Sequence, residues 1–196
     1  MSDFGSARAT RIQDLTVGQR LAAAPLLVES LAGYYALLDI PEHDLIAALV
    51  AEMTEIGTEL EHGLALVDAD DILIGVFCGY PADELQARQI ASVFHLISMV
   101  DADRGSQILE ASARHAARIQ RVPPDSYYMA RMGIVPIYRG KGVSAYFYGV
   151  ARAAAAGRSL SLHVEAQNSG AVALHRREGL MPLGAIDGPF LCMTGH

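Results

Sequence analysis

Apolar and polar positions recur along this chain with two periods, and the switches between them mark its elements. Tyr127, Tyr128, Met129, Met132 and Ile134 form an aromatic and apolar run bounded by Pro123-Pro124-Asp125 and by Pro136, which predicts a strand over residues 127–134. Val143, Phe147, Val150 and Ala154 then follow at helical spacing, a stripe suited to a sheet face, and Gly157 sits where a left-handed C-terminal cap belongs. Leu160, Leu162 and Val164 alternate with Ser161, His163 and Glu165, so a second strand is expected there, with His163 and Glu165 on one face. Upstream, residues 64–67 and 72–77 flank the acidic turn Asp68-Ala69-Asp70-Asp71 and predict a hairpin.

The ends and the middle are plainer. Residues 9–14 suit an edge strand, and residues 15–38 a helix capped by Thr16 and interrupted at Gly18 and Pro25. Pro41 opens another helix, with Leu45, Ile46, Leu49, Val50, Met53 and Ile56 on its apolar face. The acidic residues Glu42, Asp44, Glu52, Glu55 and Glu59 are expected to be its solvated side. Residues 83–124 predict two helices, 83–100 and 103–121, joined at Asp101-Ala102-Asp103, although the β-branched and aromatic run from Val93 to Val100 suits a strand equally. Residues 180–185 and 190–193 predict a closing hairpin turning at Asp187-Gly188. The whole is an α/β (α+β) chain: a mixed, mostly antiparallel sheet with helices on both faces.

Length and composition narrow the class. A chain of 196 residues that is 52% apolar and 19% charged makes one folded domain with its own core and is not disordered. Residues 21–38 are interrupted by Pro25, Glu29 and Gly33, so no membrane span is expected, and the N-terminus lacks the basic-then-apolar pattern of a secretory signal. Cys78 and Cys192 lie in apolar segments and are expected as reduced, buried thiols of a cytoplasmic protein. The net charge of −7 hides an asymmetry: Arg131, Arg139, Lys141, Arg152, Arg158, Arg176 and Arg177 face only Glu165 and Glu178 between positions 126 and 180, and the acidic surplus lies elsewhere. A basic half suits an anionic ligand, an acidic remainder suits an amine. Lys141 is the only lysine and no basic stripe carries interleaved aromatics, so nucleic acid is not an expected partner.

The chemistry concentrates in Ile134-Val135-Pro136-Ile137-Tyr138-Arg139-Gly140-Lys141-Gly142-Val143-Ser144, where a strand gives way to a helix through two close glycines. Amides at a helix start lack carbonyl partners and sit at the positive end of the dipole, so this turn invites a pyrophosphate. It is not a Walker loop, because Gly142 rather than Ser or Thr follows Lys141. It is a poor dinucleotide fingerprint, because Ala145 stands where the third glycine belongs.

The run resembles motif A of the GNAT acetyltransferase superfamily, with Arg139, Gly142 and Ser144 in its core and Ser144 replacing the usual Gly or Ala. Leu160-Ser161-Leu162-His163-Val164-Glu165-Ala166-Gln167-Asn168, then Ala171, Leu174 and Gly179-Leu180, resembles motif B of the same superfamily. The resemblance covers residues 126–181 and implies a single GNAT domain, with residues 83–124 as a helical insertion before the central strand that shapes the acceptor pocket or a dimer contact.

The resemblance further implies an acetyl-CoA-dependent N-acetyltransferase that transfers directly to a primary amine, with no metal and with a homodimer as a common assembly. Arg139, Gly140, Lys141, Gly142, Val143 and Ser144 would hold the pyrophosphate, and Ile134 and Pro136 would pair with the pantetheine arm. The amide of Ile134 or Val135 would serve as oxyanion donor, and Gly133 would mark the bulge that opens the gap. Asn168 would hold the arm, its alternative being a plain N-cap. His175 stands where the family usually carries the tyrosine that protonates the leaving thiolate; either it donates as histidinium or Tyr146, Tyr148 or water does. His163 stands where several members carry a general-base glutamate, with Glu165 as a possible orienting partner and a satisfied core histidine as the competing reading. Tyr127, Tyr128 and Arg131 are candidates to line the acceptor cleft. These two histidine departures keep open an alternative, a non-catalytic acyl-CoA-binding sensor or interaction module.

Overall fold

The computed structural model describes residues 7–184 and 188–196. Its strands are β1 (Arg8–Arg11), β2 (Leu64–Val67), β3 (Leu73–Pro81), β4 (Tyr127–Ile134), β5 (Leu160–Glu165), β6 (Met181–Pro182) and β7 (Phe190–Gly195). They form one sheet in the order β1-β2-β3-β4-β5-β7-β6, antiparallel throughout except where β4 meets β5. The helices are α1 (Val17–Ser30), α2 (Ala32–Tyr35), α3 (Glu42–Glu52), α4 (Leu85–Ser98), α5 (Ala102–Ala116), α6 (Val143–Ala155) and α7 (Ser169–Arg177). One buried core lies under α1, α3, α4 and α5, and a second lies on the opposite face under α6 and α7. The strand-to-helix sequence around the glycine turn is as the pattern predicts.

The β4–β5 junction positions everything that follows. Only Tyr127 with Leu160 and Tyr128 with Ser161 pair across it, so beyond these the two strands diverge. Ser161 Oγ donates to Ser126 Oγ at 2.6 Å, and Ser126 Oγ donates to the Pro123 carbonyl, a buried polar pin at the root of the split. The bulge in β4 falls at Ala130, between the Cys78–Arg131 and Gly79–Met129 pairs, and not at Gly133, which pairs regularly with Val76. Gly133 answers a different need. A Cβ there would stand 2.6 Å from Leu26 Cβ and 2.9 Å from the Leu26 carbonyl, so its absence lets α1 lie directly on β4.

Several expectations are corrected. The predicted helix over residues 15–38 breaks at Leu31, and the Thr16 cap is a full capping box with Gln19. The buried stripe of α6 is Val143, Phe147, Tyr148, Ala151 and Ala155, with Ala154 exposed, because the helix is rotated toward Tyr148. α3 ends at Glu52, so Ile56 is 84% exposed rather than on its apolar face. Residues 83–124 do carry two helices, and Val93 lies in α4, not in a strand. Cys78 and Cys192 are buried free thiols, each with its pKa raised by burial. β6 and β7 pair antiparallel as expected, while Asp187 of the anticipated turn lies outside the described residues.

Candidate active site

Divergence of β4 from β5 leaves a cleft of about 910 Å³ between the last turn of α1, the two strands, the glycine turn and α7. Its floor is backbone. Val135 N–H donates to the Ile74 carbonyl at 3.0 Å, so in the antiparallel alternation the odd positions of this part of β4 face β3. The amides of Met132 and Ile134 therefore face the opening, where β5 offers no pairing. Val135 is thereby excluded as oxyanion donor, since its N–H is committed to the sheet. Pro136 has no N–H, and its carbonyl accepts from Arg139 N–H at 3.1 Å.

The cradle stands at the top of the cleft. Gly140 and Gly142 have φ of 74° and 92°, left-handed values that a side chain would strain, and Gly142 is the N-cap of α6. The amides of Gly140, Gly142, Val143, Ser144 and Ala145 make no hydrogen bond among the described residues. Unpaired amides in and just before one helix start suit an anion. Tyr138 O–H, donating to Asp68 Oδ2 at 3.1 Å, ties this turn to the β2–β3 hairpin.

The charged side chains at the turn are differently disposed. Arg139 donates to both carboxylate oxygens of Glu29, at 2.9 and 2.7 Å, and its Nε donates to the Ile134 carbonyl at 3.0 Å. Lys141 Nζ lies 5.6 Å from the centre of the Tyr138 ring. Glu29 carried no signal in the sequence that tied it to this turn.

Asn168 caps α7 through Oδ1, which accepts from Ala171 N–H at 3.0 Å, and its amide group remains for the cleft it lines. His175 also lines the cleft, and its Nδ1 stands 2.5 Å from Tyr148 O. Tyr148 is fully buried and its hydroxyl has no other partner among the described residues, so the hydroxyl donates to Nδ1 and the imidazole proton sits on Nε2. Burial lowers the His175 pKa to about 4, which corrects the expectation of a histidinium donor near neutrality. Burial raises the Tyr148 pKa far above its usual value, so that hydroxyl orients His175 and does not itself ionise.

His163 has no free lone pair. Its Nε2 lies 2.6 Å from the Gln120 carbonyl, which only accepts, so Nε2 carries the proton and Nδ1 accepts from Tyr128 O–H at 3.0 Å. Glu165 does not orient it. That carboxylate accepts from Gly33 N–H at 2.5 Å, bridging the α2 start to the end of β5, so the proposed His163–Glu165 pair is not formed. Tyr127 faces the α6 side, Tyr128 serves His163, and Arg131 alone of the three lines the cleft.

Behind Arg131 lies a second cavity of about 570 Å³, walled by α2, α3, α4 and α5. It holds Glu52 and Glu59, which corrects the reading of the acidic run: Glu42, Asp44 and Glu55 are exposed, but these two are buried. Glu59 Oε2 accepts from Arg131 at 2.6 Å and its Oε1 from Tyr80 O–H at 2.6 Å. Ser92 Oγ accepts from Glu59 N–H at 3.0 Å and donates to Glu52 Oε1 at 2.5 Å. A legible signal existed for Glu52, which continues the Leu45, Ala48, Leu49 face of α3 at helical spacing.

No family model matches the sequence, and no curated protein matches it. Solved structures do match over nearly the whole chain. An N-acetyltransferase from Staphylococcus aureus Mu50 shares 14% identity, covers 95% of this chain and 99% of its own, and has a TM-score of 0.68. A structure from Corynebacterium glutamicum described as histone acetyltransferase HPA2 and related acetyltransferase shares 20% identity at a TM-score of 0.62, covering 97% and 96%. The PaiA N-acetyltransferase of Thermoplasma acidophilum, in complex with coenzyme A, shares 15% at 0.54, covering 97% and 98%. The chain has the GNAT acetyltransferase fold.

Proposed function

We propose that this protein moves an acetyl group from acetyl-CoA to a primary amine by direct transfer in a ternary complex. The observation that carries the reading is the split between β4 and β5, with unpaired backbone amides along one strand leading to five more at the start of α6. A diphosphate needs the latter, and a peptide-like arm needs the former. The coenzyme A complex of the Thermoplasma relative supports the same ligand class.

The chain's own groups then divide the work. The amides of Gly140, Gly142, Val143, Ser144 and Ala145 bind the diphosphate, and Lys141 adds charge. The Asn168 amide and the β4 backbone hold the arm. Ile134 N–H faces the thioester oxygen as it gains negative charge, a contact worth about 3 kcal/mol when aligned. His175, neutral and held by Tyr148, offers Nε2–H to the departing sulfur as a hydrogen bond, and the proton lost by the amine ends on that sulfur. Neither His163 nitrogen is free to act as base, so this histidine positions β5 through Tyr128 and Gln120.

That commitment of both His163 nitrogens is the observation favouring the second reading, a coenzyme sensor without turnover. Calorimetry with acetyl-CoA and thiol release with a panel of amines distinguish the two. Binding with turnover supports the transferase, binding with none on any amine supports the sensor, and no binding at millimolar ligand removes both.

A further inference from the structure

Outside the cleft, the cavity behind Arg131 has the size of a small-molecule site and a mainly apolar wall that includes Tyr34, Leu45, Ile90, Val93, Phe94 and Leu109. Ile90, Phe94 and Leu109 are about half exposed, so the apolar lining continues to an open mouth. Its polar content is unbalanced. Glu59 is matched by Arg131, but Glu52, 6% exposed, has only the Ser92 hydroxyl on Oε1, and among the described residues nothing donates to Oε2. His95 gives its Nε2–H to the Ala48 carbonyl and not to Glu52. Among the described residues Arg131 Nε is also buried without a partner. A lone buried carboxylate is costly in a folded chain unless something arrives to pair it. Desolvation indeed raises the Glu52 pKa, with Glu59 adding to the effect.

Resting on the acetyltransferase reading above, we infer that this cavity holds the body of the acceptor, and that the acceptor is an apolar amine with a second, cationic group that pairs with Glu52. Leu31 and Arg131 border both the cleft and the cavity, so a molecule seated here has its free end at the wall of the coenzyme site. The apolar walls take the chain between the two nitrogens, and Glu52 takes the distal ammonium. The insertion of α4 and α5 thereby sets the substrate class.

The test compares α,ω-diaminooctane with octylamine, binding each to the full protein by calorimetry with and without acetyl-CoA, and assaying acetylated product in the same solutions. The diamine should bind about tenfold or more tightly than the monoamine, the worth of a hydrogen bond to a buried charge. Glu52→Gln, which keeps the shape and the Ser92 contact, should abolish that difference. Ala113→Phe, at an exposed position lining the cavity, should weaken both amines. Equal binding of the two amines, or a preference that survives Glu52→Gln, overturns the inference. Glu52-dependent binding without acetylated product keeps the cavity and removes the transferase. Acetylation of amines with no diamine preference keeps the transferase and removes the cavity's assignment.

Discussion

The two pockets that meet at Arg131 are built from different materials. The cleft between β4 and β5 is mostly backbone, with amides of β4 and of the α6 start exposed because two strands part and two glycines bend the chain. The cavity under α4 and α5 is mostly side chain: a buried guanidinium and two carboxylates brought together from β4, α3 and the segment after it. A backbone site tolerates side-chain replacement but not a change of conformation. A side-chain site behaves in the opposite way.

Breaking the side-chain network should have the larger effect. Arg131→Leu leaves Glu59 buried without its cation and should cost about 3–5 kcal/mol in a denaturant titration. Loss near zero would mean that Tyr80 alone satisfies that carboxylate. The cleft side carries a pH signature. His175 has its pKa lowered from about 6.5 to about 4, so the native state refuses a proton that the unfolded chain accepts. Its contribution to stability is intact above pH 6.5 and is lost as pH falls toward 4, with His115 and His163 shifted in the same direction by burial. Melting temperatures across this window should fall more steeply for the native chain than for His175→Phe. The same variant should lower kcat while leaving acetyl-CoA affinity near native.

On the backbone side, Gly142→Ala forces a Cβ into φ of 92°, at a cost of about 1–2 kcal/mol, and acetyl-CoA affinity measured by calorimetry should drop with it. Unchanged affinity would show that the cradle does not depend on this turn. The smallest effect belongs to Glu29→Gln, which releases Arg139 from an exposed ion pair. Coenzyme affinity should rise by at most about fivefold.

This division also explains what the sequence disclosed. Strand, glycine turn, helix and Asn168 lie within one short stretch, where each residue type answers a local backbone need, so the fold class and the local form of the turn were legible. β4 was predicted to its boundaries because prolines bracket it. Glu59 was not legible as buried, because its partners Ser92, Tyr80 and Arg131 lie far along the chain, and the helical spacing that marked Glu52 was outweighed by an acidic run that reads as solvated until its neighbours are known. The bulge at Ala130 escaped notice since no glycine marks it. The His175 titration was misjudged for a similar reason, as nothing local announces that Tyr148 and burial surround it.

Leu31 carries the break between α1 and α2 and borders both pockets. A break in a party wall lets two guests sit back to back and still meet at one end. If either guest shifts that wall, each must help or hinder the other by one common factor, whichever arrives first.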